Sequence, residues 1–159
     1  MSPFRAVRYY VGTGSAGGNS RSLYRQSLRW QDTNGNGAPD PGEFQAVDDE
    51  LVEGVDDLQM LYGVDLNGDE QPDSYVTAGS ANLDSAAEWR RVVSVRVGLL
   101  LRTVDEYGGE TDARAYDVFT GRAFANLAAC GAAPGCVDPP DLRVRRRVFS
   151  TTIFLRNRT

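Results

Sequence analysis

Apolar and polar residues alternate along most of this chain, and the alternation predicts a protein built mainly of β-strands. The clearest run is Val92 to Arg102, where Val93, Val95, Val97, Leu99 and Leu101 are interleaved with Ser94, Arg96, Gly98 and Arg102. A period of two places successive side chains on opposite faces, so this run predicts a central strand with one apolar and one wet face. Leu58, Met60, Tyr62 and Val64 repeat the pattern, as do Val7, Tyr9 and Val11 within Phe4 to Val11. So do Phe149, Thr151, Ile153 and Leu155 within Arg147 to Leu155. Leu23 to Trp30 alternates as well, while Pro72 to Thr77 and Ala115 to Phe119 are shorter extended runs. Helical signals are few. Phe44 to Asp57 is expected to hold a helical turn or two, and Ser85-Ala86-Ala87-Glu88 has the spacing of a capping box that opens a short helix and carries Trp89 into the core. The expected class is α+β, β-dominated, as one domain over 1–159.

Composition supports a real core, with 41% hydrophobic residues, but no membrane span. The longest purely apolar run, Gly98 to Leu101, is far short of the roughly 18 residues a spanning helix needs. Met1-Ser2-Pro3 leads directly into strand-like sequence, so any export signal or anchor is expected upstream. Charge is unevenly spread. Asp32 to Asp73 holds 13 acids and no basic residue, a charge of −13, against +8 for the remainder. Such a segment repels itself unless cations or the arginines offset it. The acidic balance and the scattered arginines, clustered only at Arg143, Arg145, Arg146 and Arg147, argue against a nucleic-acid partner.

Within the acidic segment lie two candidate calcium loops. In Asp32 to Glu43, Asp32, Asn34 and Asn36 stand at positions 1, 3 and 5 of an EF-hand-like pattern, with Gly37 at the bend. Ala38 offers a carbonyl at 7, Asp40 follows at 9 and Glu43 at 12. These are the offsets at which a curled loop turns oxygens onto a hard cation. Asp65, Asn67, Asp69, Gln71 and Asp73 occupy positions 1, 3, 5, 7 and 9 of a second loop, although Glu70 replaces the glycine at 6 and Val76 stands at 12. A polar connector making Asn-Gly and Pro-Gly turns is the alternative reading of the first loop, and a solvated turn that of the second.

Other motifs carry less. Cys130 and Cys136 bracket GAAPG, a spacing that suits a local disulfide, with two free thiols as the alternative. Gly12 to Gly17 spells G-x-G-x-x-G, but the sequence after it continues the turn and then alternates as a strand, so no helix opens to receive a dinucleotide. The chain has no histidine, which removes Ser-His and Cys-His nucleophiles and imidazole metal sites. Asp48, Asp49, Glu50, Asp56 and Asp57 are the remaining candidates for paired-carboxylate chemistry. Clustered acids are more often a solvated face or cation ligands, so the chain is expected not to be an enzyme.

Several of these pieces occur together in one family. Leu51-Val52-Glu53-Gly54-Val55, Leu58-Gln59, Tyr62-Gly63-Val64-Asp65 with its Asn-Gly-Asp turn, Trp89 to Leu101, and the closing Arg146 to Thr152 with Leu155 to Arg158 resemble the C-terminal globular part of PilW-type minor pilins. The Ser22-Leu23-Tyr24-Arg25 strand belongs to the same resemblance. It implies a pilin-like antiparallel sheet packed on a long N-terminal helix, and a role in priming type IV pilus assembly or at the pilus tip. Implied partners are other minor and major pilins. The implied location is the surface pilus, or the periplasmic face of the inner membrane before assembly. This sequence departs from the family in lacking the N-terminal segment, so a membrane is expected to be reached only through a missing N-terminal helix. The face of Val93, Val95, Val97, Leu99 and Leu101 is then expected to be partly uncovered. A secreted calcium-binding recognition or adhesion module is the alternative function.

Overall fold

The computed structural model describes residues 6–17, 20–106, 108, 112, 114, 116–119, 122–124 and 143–155, with backbone alone for 122–124. The chain divides into two compact units, Met1–Asp56 and Asp57–Thr159.

The first unit is an antiparallel meander in the order β1 (Val7–Thr13), β2 (Arg21–Trp30), β3 (Phe44–Glu53). The glycine-rich segment is the β1–β2 hairpin turn, closed by Gly14 N–H donating to Ser20 O at 2.9 Å. Gly12 lies beneath the stacked rings of Tyr10 and Tyr24, whose centroids are 5.4 Å apart, and a Cβ there would press on both rings. The stretch Phe44 to Asp57, expected to contain helical turns, is β3 and the start of β4 (Val55–Val64). Cross-strand pairing overrides the local acidic run: Asp48 faces Gln26, Asp49 faces Arg25 and Glu50 faces Tyr24. Asp49 draws in Arg25 at 2.9 Å and Arg29 at 3.0 Å, so part of the acidic segment is neutralised within the sheet.

The second unit holds a four-stranded sheet in the order β5 (Ser74–Val76), β4, β6 (Val92–Arg102), β9 (Arg146–Phe154), with the pair β7 (Tyr116–Phe119) and β8 (Arg122–Phe124) beside it. β6 is an interior strand, as its alternation predicts. The one helix among the described residues is α1 (Ala86–Trp89). Its capping box is formed: Ser85 Oγ accepts from Glu88 N–H at 3.3 Å, and Glu88 accepts from Ser85 N–H at 2.9 Å. Trp89 does not enter the core as expected. It stays 40% exposed, edge-on to Tyr62 at 4.8 Å, because a single turn is too short to swing it inward and Leu83 already fills the core position beside Val64 and Val92.

The faces of β6 are also reversed in part. Ser94, Gly98, Leu100 and Arg102, three of them expected on the wet face, are buried, whereas Val95, Val97, Leu99 and Leu101 are only half-buried. Small residues cause the reversal. Ser94 Oγ donates to Tyr75 Oη at 3.2 Å, and a Cβ on Gly98 would come within 2.5 Å of Val118 and 2.7 Å of Phe119. Those two strand positions thereby admit neighbours that larger residues would exclude, and a second core of Leu100, Val118, Tyr116, Phe119 and Val148 forms on that side. Arg96 remains exposed on the same face and covers the Tyr75 ring at 3.6 Å.

Candidate functional site

Both Asp/Asn loops are strand connections, 32–43 joining β2 to β3 and 65–73 joining β4 to β5. In the first, Asp32 accepts Gly35 N–H at 2.6 Å and Gly37 N–H at 2.9 Å, one on each carboxylate oxygen. Asn34 Oδ1 accepts Asn36 N–H at 2.9 Å, and Asn36 Oδ1 accepts Ala38 N–H at 2.7 Å. The amide nitrogens of Asn34 and Asn36 both donate to Asp40 Oδ2, at 2.9 and 2.6 Å. Glu43, only 3% exposed, closes the base: it accepts from Trp30 Nε1, from the backbone N–H groups of Thr33, Asn34 and Asp40, and from the Thr33 hydroxyl. The Trp30 indole N–H, with the N–H groups of Asp40 and Thr33, holds the Glu43 carboxyl down at about 2.

The second loop reproduces the first almost bond for bond. Asp65 accepts Gly68 N–H at 2.6 Å and Glu70 N–H at 3.0 Å. Asn67 Oδ1 accepts Asp69 N–H at 2.9 Å, and Asp69 Oδ1 accepts Gln71 N–H at 2.8 Å. Asn67 Nδ2 donates to Asp73 at 3.2 Å, as Asn34 does to Asp40. Gly68 N–H, the nearest of these donors, leads in holding the Asp65 carboxyl below its ordinary range. The backbones agree too. Gly35 and Gly68 have φ of 76° and 86°, and Gly37 is matched by Glu70 at 65°. Glu70 therefore adopts the left-handed conformation that the glycine supplies in the first loop, at a cost of about 1–3 kcal/mol for a residue with a Cβ.

The donor set of both loops is hard oxygen, which suits calcium chemically. As arranged, however, the loops satisfy themselves: the asparagine amides supply to Asp40 and Asp73 the positive partner that a cation would supply. Among the described residues, no group of three acidic side chains converges as metal ligands do. All eleven candidate ligand positions are thus brought into two closed hydrogen-bonded loops, with Ala38 and Gln71 contributing N–H groups. Trp30 and Thr33, which fix Glu43, carried no sequence signal of their own. Cys130 and Cys136 lie outside the described residues.

Other acids of the segment are held by polar neighbours. Asp48 accepts from Gln26 at 3.0 Å, Glu50 from Ser15 N–H at 3.2 Å and Asp57 from Gln59 at 2.6 Å.

A larger feature is the second face of the β6–β9 pair. Register sets Leu99 against Phe149, Val97 against Thr151 and Val95 against Ile153, so these side chains share one face. Phe149 is 57% exposed, Ile153 51%, and Leu155 beyond them is exposed as well. A contiguous apolar stripe of this kind is characteristic of interaction surfaces. On β6 this face is buried at Val93 and half-buried at Val95, Val97, Leu99 and Leu101, so the exposed apolar area lies on β9.

No helix among the described residues is long and apolar enough to cross a membrane. No curated protein and no solved structure matches the chain. The β-dominated antiparallel architecture, the strand-borne sequence features and the family comparison agree, and the chain, which matches the model of type IV pilus-assembly protein W over residues 8–157, belongs to that family.

Proposed function

We propose that this chain is a minor pilin, a structural subunit that helps prime type IV pilus assembly or forms part of the tip, packing against other minor and major pilins. The uncovered apolar face of β6 and β9 carries this reading beyond family membership, since Phe149 and Ile153 offer a neighbour apolar area that water now contacts. Photo-crosslinkers placed at Phe149 and Ile153 in piliated cells should capture pilus subunits. Capture of none, with efficient capture from an engaged position such as Asp48, contradicts the proposed surface.

The two loops bind calcium in this reading and are stiffened by it. Asp32, Asn34, Asn36, Ala38, Asp40 and Glu43 would hold one ion, and Asp65, Asn67, Asp69, Gln71 and Asp73 another; the repeated oxygen-rich pattern supports this. Calorimetry on chelator-treated protein should give a Kd of about 1 mM or tighter, weakened by Asp32→Ala or Asp65→Ala. No heat, and no rise in Tm with added calcium, removes the calcium claim and leaves the pilin claim standing. The twin loops also favour a second reading, a secreted calcium-binding recognition module. Calcium binding in a chain whose loss leaves pili unchanged would select it.

A further inference from the structure

We propose that the three Asn-Gly pairs in these loops are sites of self-catalysed deamidation, in which each loop converts its own asparagines to aspartate or isoaspartate. Of seven asparagines in the chain, only Asn34, Asn36 and Asn67 precede glycine, and all three lie in the twin loops. At each one a proton acceptor for the nucleophile and a donor to the amide oxygen are in place. The nucleophile is the glycine backbone nitrogen, and its N–H already donates to a carboxylate: Gly35 and Gly37 to Asp32 at 2.6 and 2.9 Å, Gly68 to Asp65 at 2.6 Å. The asparagine carbonyl oxygen, where negative charge develops, accepts a backbone N–H from two residues on, at 2.9, 2.7 and 2.9 Å. Glycine adds no shielding, since a Cβ at any of the three would meet nothing within 4 Å. All three asparagines are exposed to the water that completes the reaction.

The glycine nitrogen forms a bond to the asparagine Cγ as the neighbouring aspartate accepts its proton. The Cγ–Nδ2 bond then breaks, and the nitrogen leaves as ammonia, taking back one proton through solvent. Water opens the cyclic imide at either carbonyl and gives aspartate or isoaspartate. Each conversion removes an amide that donates to Asp40 or Asp73 and leaves a carboxylate in its place, which raises the loop's demand for a counter-ion. The inference stands on the hydrogen-bond geometry and is independent of calcium binding.

The test is peptide mapping by mass spectrometry of the whole purified chain, incubated at neutral pH with chelator and sampled over time. Asn34, Asn36 and Asn67 should convert at least about tenfold faster in the folded chain than in the same chain held in urea, while Asn82 stays intact. Asp32→Asn should slow Asn34 and Asn36 about tenfold or more and leave Asn67 unchanged, and Asp65→Asn should do the reverse. Because the two loops lie in different units, each variant must also keep the circular-dichroism spectrum and melting curve of the unaltered chain, which separates loss of the acceptor from unfolding of the unit that carries it. Conversion in the folded chain no faster than in urea, or an unchanged or higher rate in Asp32→Asn, overturns the proposal.

Discussion

Glu43 shows how one side chain holds a whole connection. Its carboxylate is buried and receives N–H and O–H donors from Trp30, Thr33, Asn34 and Asp40, so neither oxygen is wasted on solvent. Those donors lower its pKa from 4.5 to about 2. A carboxyl with a depressed folded pKa stabilises the fold above its unfolded pKa and loses that contribution as pH falls through the folded value. Stability should therefore decline between about 4.5 and about 2 as Glu43 takes up a proton. Glu43→Gln should make that part of the profile shallower, with the decline due to Glu88 remaining, and lower Tm by several degrees at neutral pH, as followed by thermal melts across pH. At this scale much was legible beforehand. The offsets from Asp32 to Glu43 identified residues that share one hydrogen-bonded loop, because an Asp-x-Asn-Gly pattern encodes its own turns. The donors were not legible, since Trp30 and Thr33 reach Glu43 only once β2 and β3 are paired.

Among the elements, β6 is the most instructive. Its alternation correctly located an interior strand, whose partner β9 and register with it are set by the fold. Which face is covered was not in the pattern, because the answer depends on Gly98 and Ser94 being small enough for Phe119, Val118 and Tyr75 to close over them. Periodicity treats glycine and serine as polar gaps; packing uses them as room. Gly98→Val should therefore push β7 off the sheet and cost about 1–3 kcal/mol in equilibrium urea unfolding. Leu100→Ala, which empties the core on that same side, should cost about 2–5 kcal/mol. The expectation of helical turns within Phe44 to Asp57 failed for a related reason: its side chains pair with residues on β2, which lie far away in sequence.

Across the whole molecule, charge and apolar exposure decide behaviour. The −13 segment is offset only in part, by Arg25 and Arg29 on Asp49, while amide and N–H donors within the loops solvate some of its carboxylates. The apolar stripe of Phe149 and Ile153 has no such compensation among the described residues. The isolated chain should self-associate, with a sedimentation-derived mass that rises with concentration, and the double substitution Phe149→Glu, Ile153→Glu should return it to monomer. A clean monomer at high concentration goes against this surface being sticky. The most direct measurement of the central claim is the number of surface pili, counted by electron microscopy, on cells of the native host lacking this gene and carrying either version back. A pilus-assembly subunit working through the β6–β9 face predicts few pili without the gene, recovery with the unaltered chain and no recovery with Phe149→Glu, Ile153→Glu. Normal piliation in the absence of the gene would contradict it.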